Sequence, residues 1–316
     1  MSQALRSTLL LALASIIWGF AFVAQRLGMD HIGPFLFNGL RCLLGALTVW
    51  TVVCLRERRV APLLRDAPRW RHAWRLSPTL RGGILCGLAL CAGSNLQQVG
   101  LVDVDAGKAG FLTALYIVLV PLAGLLFRQR VRWTVWPAVG LAVVGLYLLC
   151  LTEQLSIARG DVIVLLGAVG WTVQILLIDR YVKVSDVFRL CAIEFLTAGV
   201  ISLAIAPFAD RAFVTATAGL AASLWAALPA LLFAGVLSSG VAFTAQALGQ
   251  RTAPPALASL IMSLEAPFAT LAGFTVLHES FTPREGVGCV LMFAAVLVAQ
   301  APSRSERAAR PVQAGG

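Results

Sequence analysis

The chain has 316 residues, 59% of them hydrophobic and 13% charged, with a mean hydropathy of +0.85. A soluble protein carries roughly a quarter of its residues as Asp, Glu, Lys and Arg, so that class is excluded, along with disorder, collagen-like repeats and a disulfide-built secreted domain. The formal charge of +10 does not signal nucleic acid, because the basic residues punctuate long apolar runs instead of gathering on a solvated domain.

The elements follow from the charges. Stretches without Asp, Glu, Lys or Arg run over 7–25, 82–102, 109–127, 133–152, 162–178 and 286–303. Each is near the ~20 residues a helix needs to cross ~30 Å of hydrocarbon. Three more helices emerge where single charges are buried: 34–55 with Arg41, 187–207 with Glu194 and 254–277 with Glu265. The uncharged run 212–250 is too long for one span; it starts loop-like through Val214, Thr215, Thr217, Gly219 and Ser223, and its helix is expected over about 225–247. The expectation is an all-α polytopic membrane protein with ten transmembrane helices. The first run exceeds the 7–15 apolar residues of a signal peptide, and no clear A-x-A site follows it, so it is read as a membrane helix.

With the N-terminus inside and the chain alternating, 19 of the 25 Lys and Arg residues fall on the cytoplasmic side, five on the outer side, and Arg41 lies within the membrane. By the positive-inside rule both termini are expected to be cytoplasmic; the membrane expected is the cell (inner) membrane. The segment 56–81 holds eight of those arginines with Pro62, Pro68, Leu63, Leu64, Trp70 and Trp74 among them. It reads either as a surface touching anionic lipid or as a loop that anchors topology.

The two halves resemble each other. Trp18 in the first helix matches Trp171 in the sixth at an offset of 153, and Arg41 falls on Glu194 at the same offset. At an offset of 146, Pro121 in helix four falls on Pro267 in helix nine, which sets Leu119 opposite Glu265. A five-helix unit crosses an odd number of times, so its copy enters from the other side: two inverted five-helix repeats, as in many secondary transporters. The division expected is 1–155 for the first repeat, 156–303 for the second, and 304–316 for a basic cytoplasmic tail.

The stretches W-G-F-A-F-V-A-Q-R-L-G (18–28), P-F-L-F-N-G-L-R (34–41), G-K-A-G-F-L-T-A-L-Y (107–116) and S-L-I-M-S-L-E-A-P-F (259–268) resemble the drug/metabolite transporter superfamily, and within it the EamA-type ten-helix permeases. The resemblance covers about residues 7–300. It implies a central substrate cavity and export of amino acids or related metabolites. The acidic ending usual for helix four in that family is replaced here by Arg128-Gln129-Arg130, while His278-Glu279 keeps the acid in the second half.

Candidate transport residues come from the helices themselves. Helices three, four, eight and nine carry small-residue stripes at a spacing of four: Gly83/Gly87/Cys91/Asn95, Ala109/Thr113/Ile117/Pro121, Ala230/Ala234/Ser238/Ala242/Gln246 and Pro255/Ser259/Ser263/Pro267. Close helix packing explains such stripes, yet Asn95 and Gln246 end two of them in amides that suit a wet cavity better than lipid. Pro121 and Pro267 are helix-break candidates that would free the carbonyls of Ile117 and Ser263.

Arg41, Glu194 and Glu265 are the intramembrane charges, candidates for coupling or substrate charge, and none is expected to face lipid. Trp18, Phe22, Tyr116 and Trp171 are candidate cavity walls, with plain packing as the alternative. Substrate-binding candidates are thus Trp18, Phe22, Asn95, Thr113, Tyr116, Trp171, Gln246, Ser259 and Ser263. Gln25, Gln97, Gln98 and Gln174 are expected nearer the membrane faces.

The seven cysteines lie in the predicted spans without metal-like pairing, and the three histidines are scattered in loops. No metal, cofactor or nucleic-acid partner is indicated, and neither H-E-x-x-H nor G-x-x-x-x-G-K-[ST] occurs. Thr282-Pro283-Arg284-Glu285 reads as a capping box opening helix ten. The reading is a secondary-active exporter of small metabolites in the lipid bilayer, working by alternating access, with a proton gradient and the substrate's own gradient both open as driving force. A membrane-embedded enzyme on a lipid-linked substrate is the alternative; it would want converging acidic or His residues at one face, which the sequence does not offer.

Overall fold

The ends of the helices are written into the side chains at their caps. Ser2 Oγ accepts the Leu5 N–H, Ser77 Oγ the Leu80 N–H ahead of Pro78, and Asp186 Oδ1 the Arg189 N–H. The capping box before the last helix is present: Thr282 Oγ1 accepts from Glu285 N–H at 3.3 Å, and the Glu285 carboxylate accepts the Thr282 N–H at 2.6 Å.

Between these caps the computed structural model describes residues 2–60, 77–104, 106–128, 131–150, 158–211, 219–276, 278 and 280–301. The arginine-rich 61–76, Gln129 and Arg130, the repeat boundary expected at 155/156, Glu279 and the tail 304–316 lie outside the described residues.

The helices are α1 (Gln3–Met29), α2 (Pro34–Val60), α3 (Pro78–Asp103), α4 in two pieces (Ala106–Ala114 and Tyr116–Leu126), α5 (Val135–Cys150), α6 (Arg159–Tyr181), α7 (Val187–Ala209), α8 (Leu220–Gln250), α9 in two pieces (Pro255–Met262 and Glu265–Val276) and α10 (Pro283–Gln300). Among the described residues nine helical runs are long and apolar enough to cross a membrane, and the shorter apolar α5 is the tenth. The protein is all-α, with the helix order expected from the sequence.

Two features depart from that expectation. Helix eight is longer than 225–247, and its middle, Phe233–Phe243, is wound as a π-helix. That stretch lies hard against α2: a Cβ on Gly235 would meet Leu44 Cβ at 2.5 Å, and one on Gly45 would meet Ser239 Cβ at 2.5 Å. Wide π-turns inside α-helices are rare and favour functional sites.

The breaks in α4 and α9 also fall away from the prolines, at Leu115 and at Ser263-Leu264. Pro267 is the third residue of its piece, where a helix N–H has no intrahelical partner to lose. The Ser263 carbonyl expected to be free accepts from Ala266 N–H at 3.1 Å. Pro121 does sit inside its piece. Counted from the breaks, the pieces of α4 and α9 start 149 residues apart, so Tyr116, and not Leu119, stands opposite Glu265.

The packing repeats the internal symmetry of the sequence. Three pairings join a helix to its own counterpart: α2 with α7, α4 with α9 and α5 with α10. Others come as mirrored couples, α3–α6 with α1–α8, α3–α7 with α2–α8, and α4–α6 with α1–α9. This is the pattern of an isologous dimer contact, realised within one chain. The α3–α6 seam is tightest at glycines, where a Cβ on Gly170 would lie 2.6 Å from the Gly93 Cα. Bare backbone lets the helices approach that closely.

Candidate substrate site

A cavity that opens to the surroundings, with about 500 Å³ of empty space counting its open mouth, lies among α1, α2, α3, α4, α6, α8 and α9. Helical spacing aims its walls. Trp18, Phe22 and Gln25 recur at intervals of three and four along α1, and Trp171, Gln174 and Ile175 do so along α6. Trp18 and Phe22 are the repeat counterparts of Trp171 and Ile175, so the two halves contribute matching faces.

Phe243, at the end of the π stretch, ties the aromatic wall together. Its ring meets the edge of Trp18 at 4.7 Å between centroids, stacks on Trp171 at 5.9 Å, and is backed by Phe195 at 5.7 Å. These are favourable aromatic geometries. Trp171 Nε1–H donates to Gln97 Oε1 at 2.7 Å, whereas Trp18 Nε1 has no partner among the described residues.

An amide chain forms the second wall. Gln246 Nε2–H donates to Gln174 Oε1 (3.1 Å) and to Gln250 Oε1 (2.9 Å), and Gln174 Nε2–H donates to Glu194 Oε1 (2.8 Å). Gln250 Nε2–H closes the chain on the Ile175 carbonyl at 3.0 Å. Glu194, with 0% exposure, therefore stands behind the cavity and reaches it through Gln174.

The charged groups at the cavity are Glu265 and Arg41. The Tyr116 hydroxyl donates to Glu265 Oε1 at 3.0 Å, where the broken helices α4 and α9 cross. Arg41 Nε–H donates to Asn38 Oδ1 at 2.8 Å. Arg41 and Glu194, although repeat counterparts on paired helices, make no ion pair, and each has a partner of its own.

Of the residues singled out from sequence, the cavity gathers Trp18, Phe22, Arg41, Thr113, Tyr116, Trp171, Gln246 and Glu265. It does not gather Glu194, Asn95, Ser259, Ser263, Pro121 or Pro267. Asn95 sits in a buried polar knot, bonded to Asn38, Ser202 and Cys91. Ser259 and Ser263 turn their hydroxyls back to the carbonyls of Ala256 (3.0 Å) and Leu260 (2.8 Å). Neither they nor Pro121 and Pro267 line it.

Gln25, Gln97 and Gln174, expected nearer the membrane faces, also line the cavity. The signal for Gln25 and Gln174 was present, since each is three residues beyond a wall residue on the same helix. Phe243, Ser238, Ile175 and Met262 complete the lining without having been expected.

Among the described residues, ten apolar helices around a cavity with aromatic, amide and charged walls define a polytopic membrane protein. The EamA-like transporter family matches residues 5–151 and again 158–300, so the chain belongs to that family and carries its domain twice. An uncharacterized transporter of Archaeoglobus fulgidus is 28% identical over 91% of this chain and 83% of its own. The uncharacterized transporter YoaV of Bacillus subtilis is 23% identical over 88% and 91%. The uncharacterized inner membrane transporter YedA of Escherichia coli is 25% identical over 90% and 87%. A solved crystal structure superposes with a TM-score of 0.70 over 93% of this chain and 96% of that one, at 18% identity, a likeness of fold alone.

Proposed function

We propose that this transporter is secondary-active and exports small amphipathic metabolites, amino acids foremost, through the cavity by alternating access of its two halves. The observation that carries the reading is the meeting of Tyr116 and Glu265 where the two broken helices cross, beside the Trp18–Phe243–Trp171 wall. A carboxylate held by one hydroxyl keeps its second oxygen for a ligand, and an ammonium group beside aromatic faces suits it. Unpartnered buried atoms at the same walls, Thr113 Oγ1, Gln25 Oε1 and Gln246 Oε1 among the described residues, support a site completed by a ligand.

The paired-halves packing supports rocking of one repeat against the other around a midplane site. A proton and a substrate ammonium compete for one carboxylate, so proton antiport through Glu265 follows from the same geometry. The basic bias and the inner-membrane naming of the Escherichia coli relative support a cell-membrane location with both termini cytoplasmic.

Counterflow of labelled amino acids and amines into proteoliposomes, run over a panel with and without a pH gradient, tests this. Saturable exchange of amphipathic amines is expected. Exchange of none of them refutes the substrate class.

A further inference from the structure

Arg41 is 4% exposed, lies in the membrane-spanning part of α2 and borders the cavity. Its Nε–H is taken by Asn38 Oδ1, and its two terminal amino groups donate to nothing among the described residues. Neither Glu265 nor Glu194 forms an ion pair with it among the described residues. A buried guanidinium with no anion is costly, and membrane topology does not require it.

The surroundings hold Arg41 in place. Asn38 Nδ2 faces Ser94 Oγ (2.9 Å), Asn95 Oδ1 (2.8 Å) and Ser202 Oγ (3.2 Å), all acceptors, so its Oδ1 must turn toward Arg41. Asn95 is in turn fixed by donating to Ser202 Oγ at 2.8 Å. Three helices thus orient one guanidinium.

We propose that Arg41 is the anion-binding subsite of the transport cavity: its guanidinium, held by Asn38, takes the carboxylate of the transported molecule. This rests on the transport reading above and adds the second pole of the ligand. With Nε occupied, the two terminal amino groups still present a fork that matches a carboxylate. A phosphate dianion is disfavoured by Glu265 in the same chamber, whereas a carboxylate at Arg41 with an ammonium at Glu265 satisfies both charges. Asn38 is a positioning residue.

The test is ligand-induced thermal stabilisation of the full chain in detergent, using phenylalanine, 3-phenylpropionate, phenethylamine and acetate. Wild type is expected to bind both phenyl carboxylates. Arg41→Gln should lose about tenfold or more in affinity for them, as befits a lost charged hydrogen-bond partner, and should keep its affinity for phenethylamine. Arg41→Lys, with charge but no fork, should recover part of the loss; if Arg41→Gln does not fold, Arg41→Lys against wild type carries the comparison.

Unchanged carboxylate affinity in a folded variant overturns the proposal, and so does folded wild type that binds no carboxylate. If counterflow fails for every compound while the Arg41-dependent carboxylate preference holds, the transport reading falls and the subsite stands.

Discussion

Tyr116 donates its hydroxyl hydrogen to Glu265 across 3.0 Å, and the two residues hold the same place in their helices: each is the first residue after the break. Counterpart residues that touch lie on the axis relating the halves. Arg41 and Glu194 are counterparts too, but they make no ion pair and lie to either side of it. The axis therefore runs through the tyrosine–carboxylate contact, where the wall belongs equally to both repeats.

Glu265→Gln removes the charge and keeps the shape. If Glu265 holds the substrate ammonium, both exchange and gradient-driven uptake should fall, with apparent affinity weakened about tenfold to a hundredfold, the worth of a charged hydrogen bond. Proteoliposome kinetics read this directly. Exchange kept intact with accumulation lost would instead make Glu265 a proton carrier alone.

Trp171 offers a ring to Phe243 and a donor to Gln97, and two substitutions separate these. Trp171→Phe should cost little in apparent affinity for aromatic substrates, whereas Trp171→Ala should cost about tenfold, because the stacking surface is lost. Equal effects in the same exchange assay would place the function in the hydrogen bond.

The Asp210 carboxylate, beyond the end of α7, accepts the N–H groups of Leu36 (2.7 Å) and Phe35 (3.3 Å), capping α2 from the other half. Asp210→Ala should lower stability by about 1 kcal/mol, the usual worth of an N-cap, seen as a drop in melting temperature. Asp210→Asn keeps an acceptor and should lose less.

Gly93 and Gly170 meet backbone to backbone, and Gly140 faces open space. Gly170→Ala should destabilise by about 1–3 kcal/mol through overpacking, while Gly140→Ala should be close to neutral. Melting of the two purified variants side by side decides it.

His31 and Val184 sit in exposed turns expected on opposite sides of the membrane. In a background without native cysteines, His31→Cys should react with an impermeant thiol reagent added outside intact cells, and Val184→Cys should not. The reverse pattern would invert the topology.

Much of this architecture was legible in the residues. Charge-free runs and single buried charges gave the helices, and the 153-residue offset paired Trp18 with Trp171, which face one cavity. The breaks were misplaced because proline marks a kink only where its missing N–H matters, and Pro267 sits in a first turn where it does not. The π stretch has no side-chain signature, and the close approach of its Gly235 and Gly240 to Leu44 and Thr48 of α2 is revealed only by the assembled helices. Ser259 and Ser263 have suitable chemistry on a suitable helix, but a hydroxyl can satisfy itself on its own backbone.

The crosswise pairing of the halves also sets a timetable for synthesis. Helices α1, α2, α3 and α5 find their main partners in the second half, so the first half inserts before those partners exist. At ordinary translation rates the roughly 150 residues that follow take on the order of 8–30 s. Throughout that interval Arg41 and Asn95 have Asn38 as a partner but lack Ser202 and α7, which arrive only with the second repeat. A nascent chain stalled midway is therefore no half-built transporter. It is a set of helices with few contacts among themselves, whose faces meant for the second half are still uncovered.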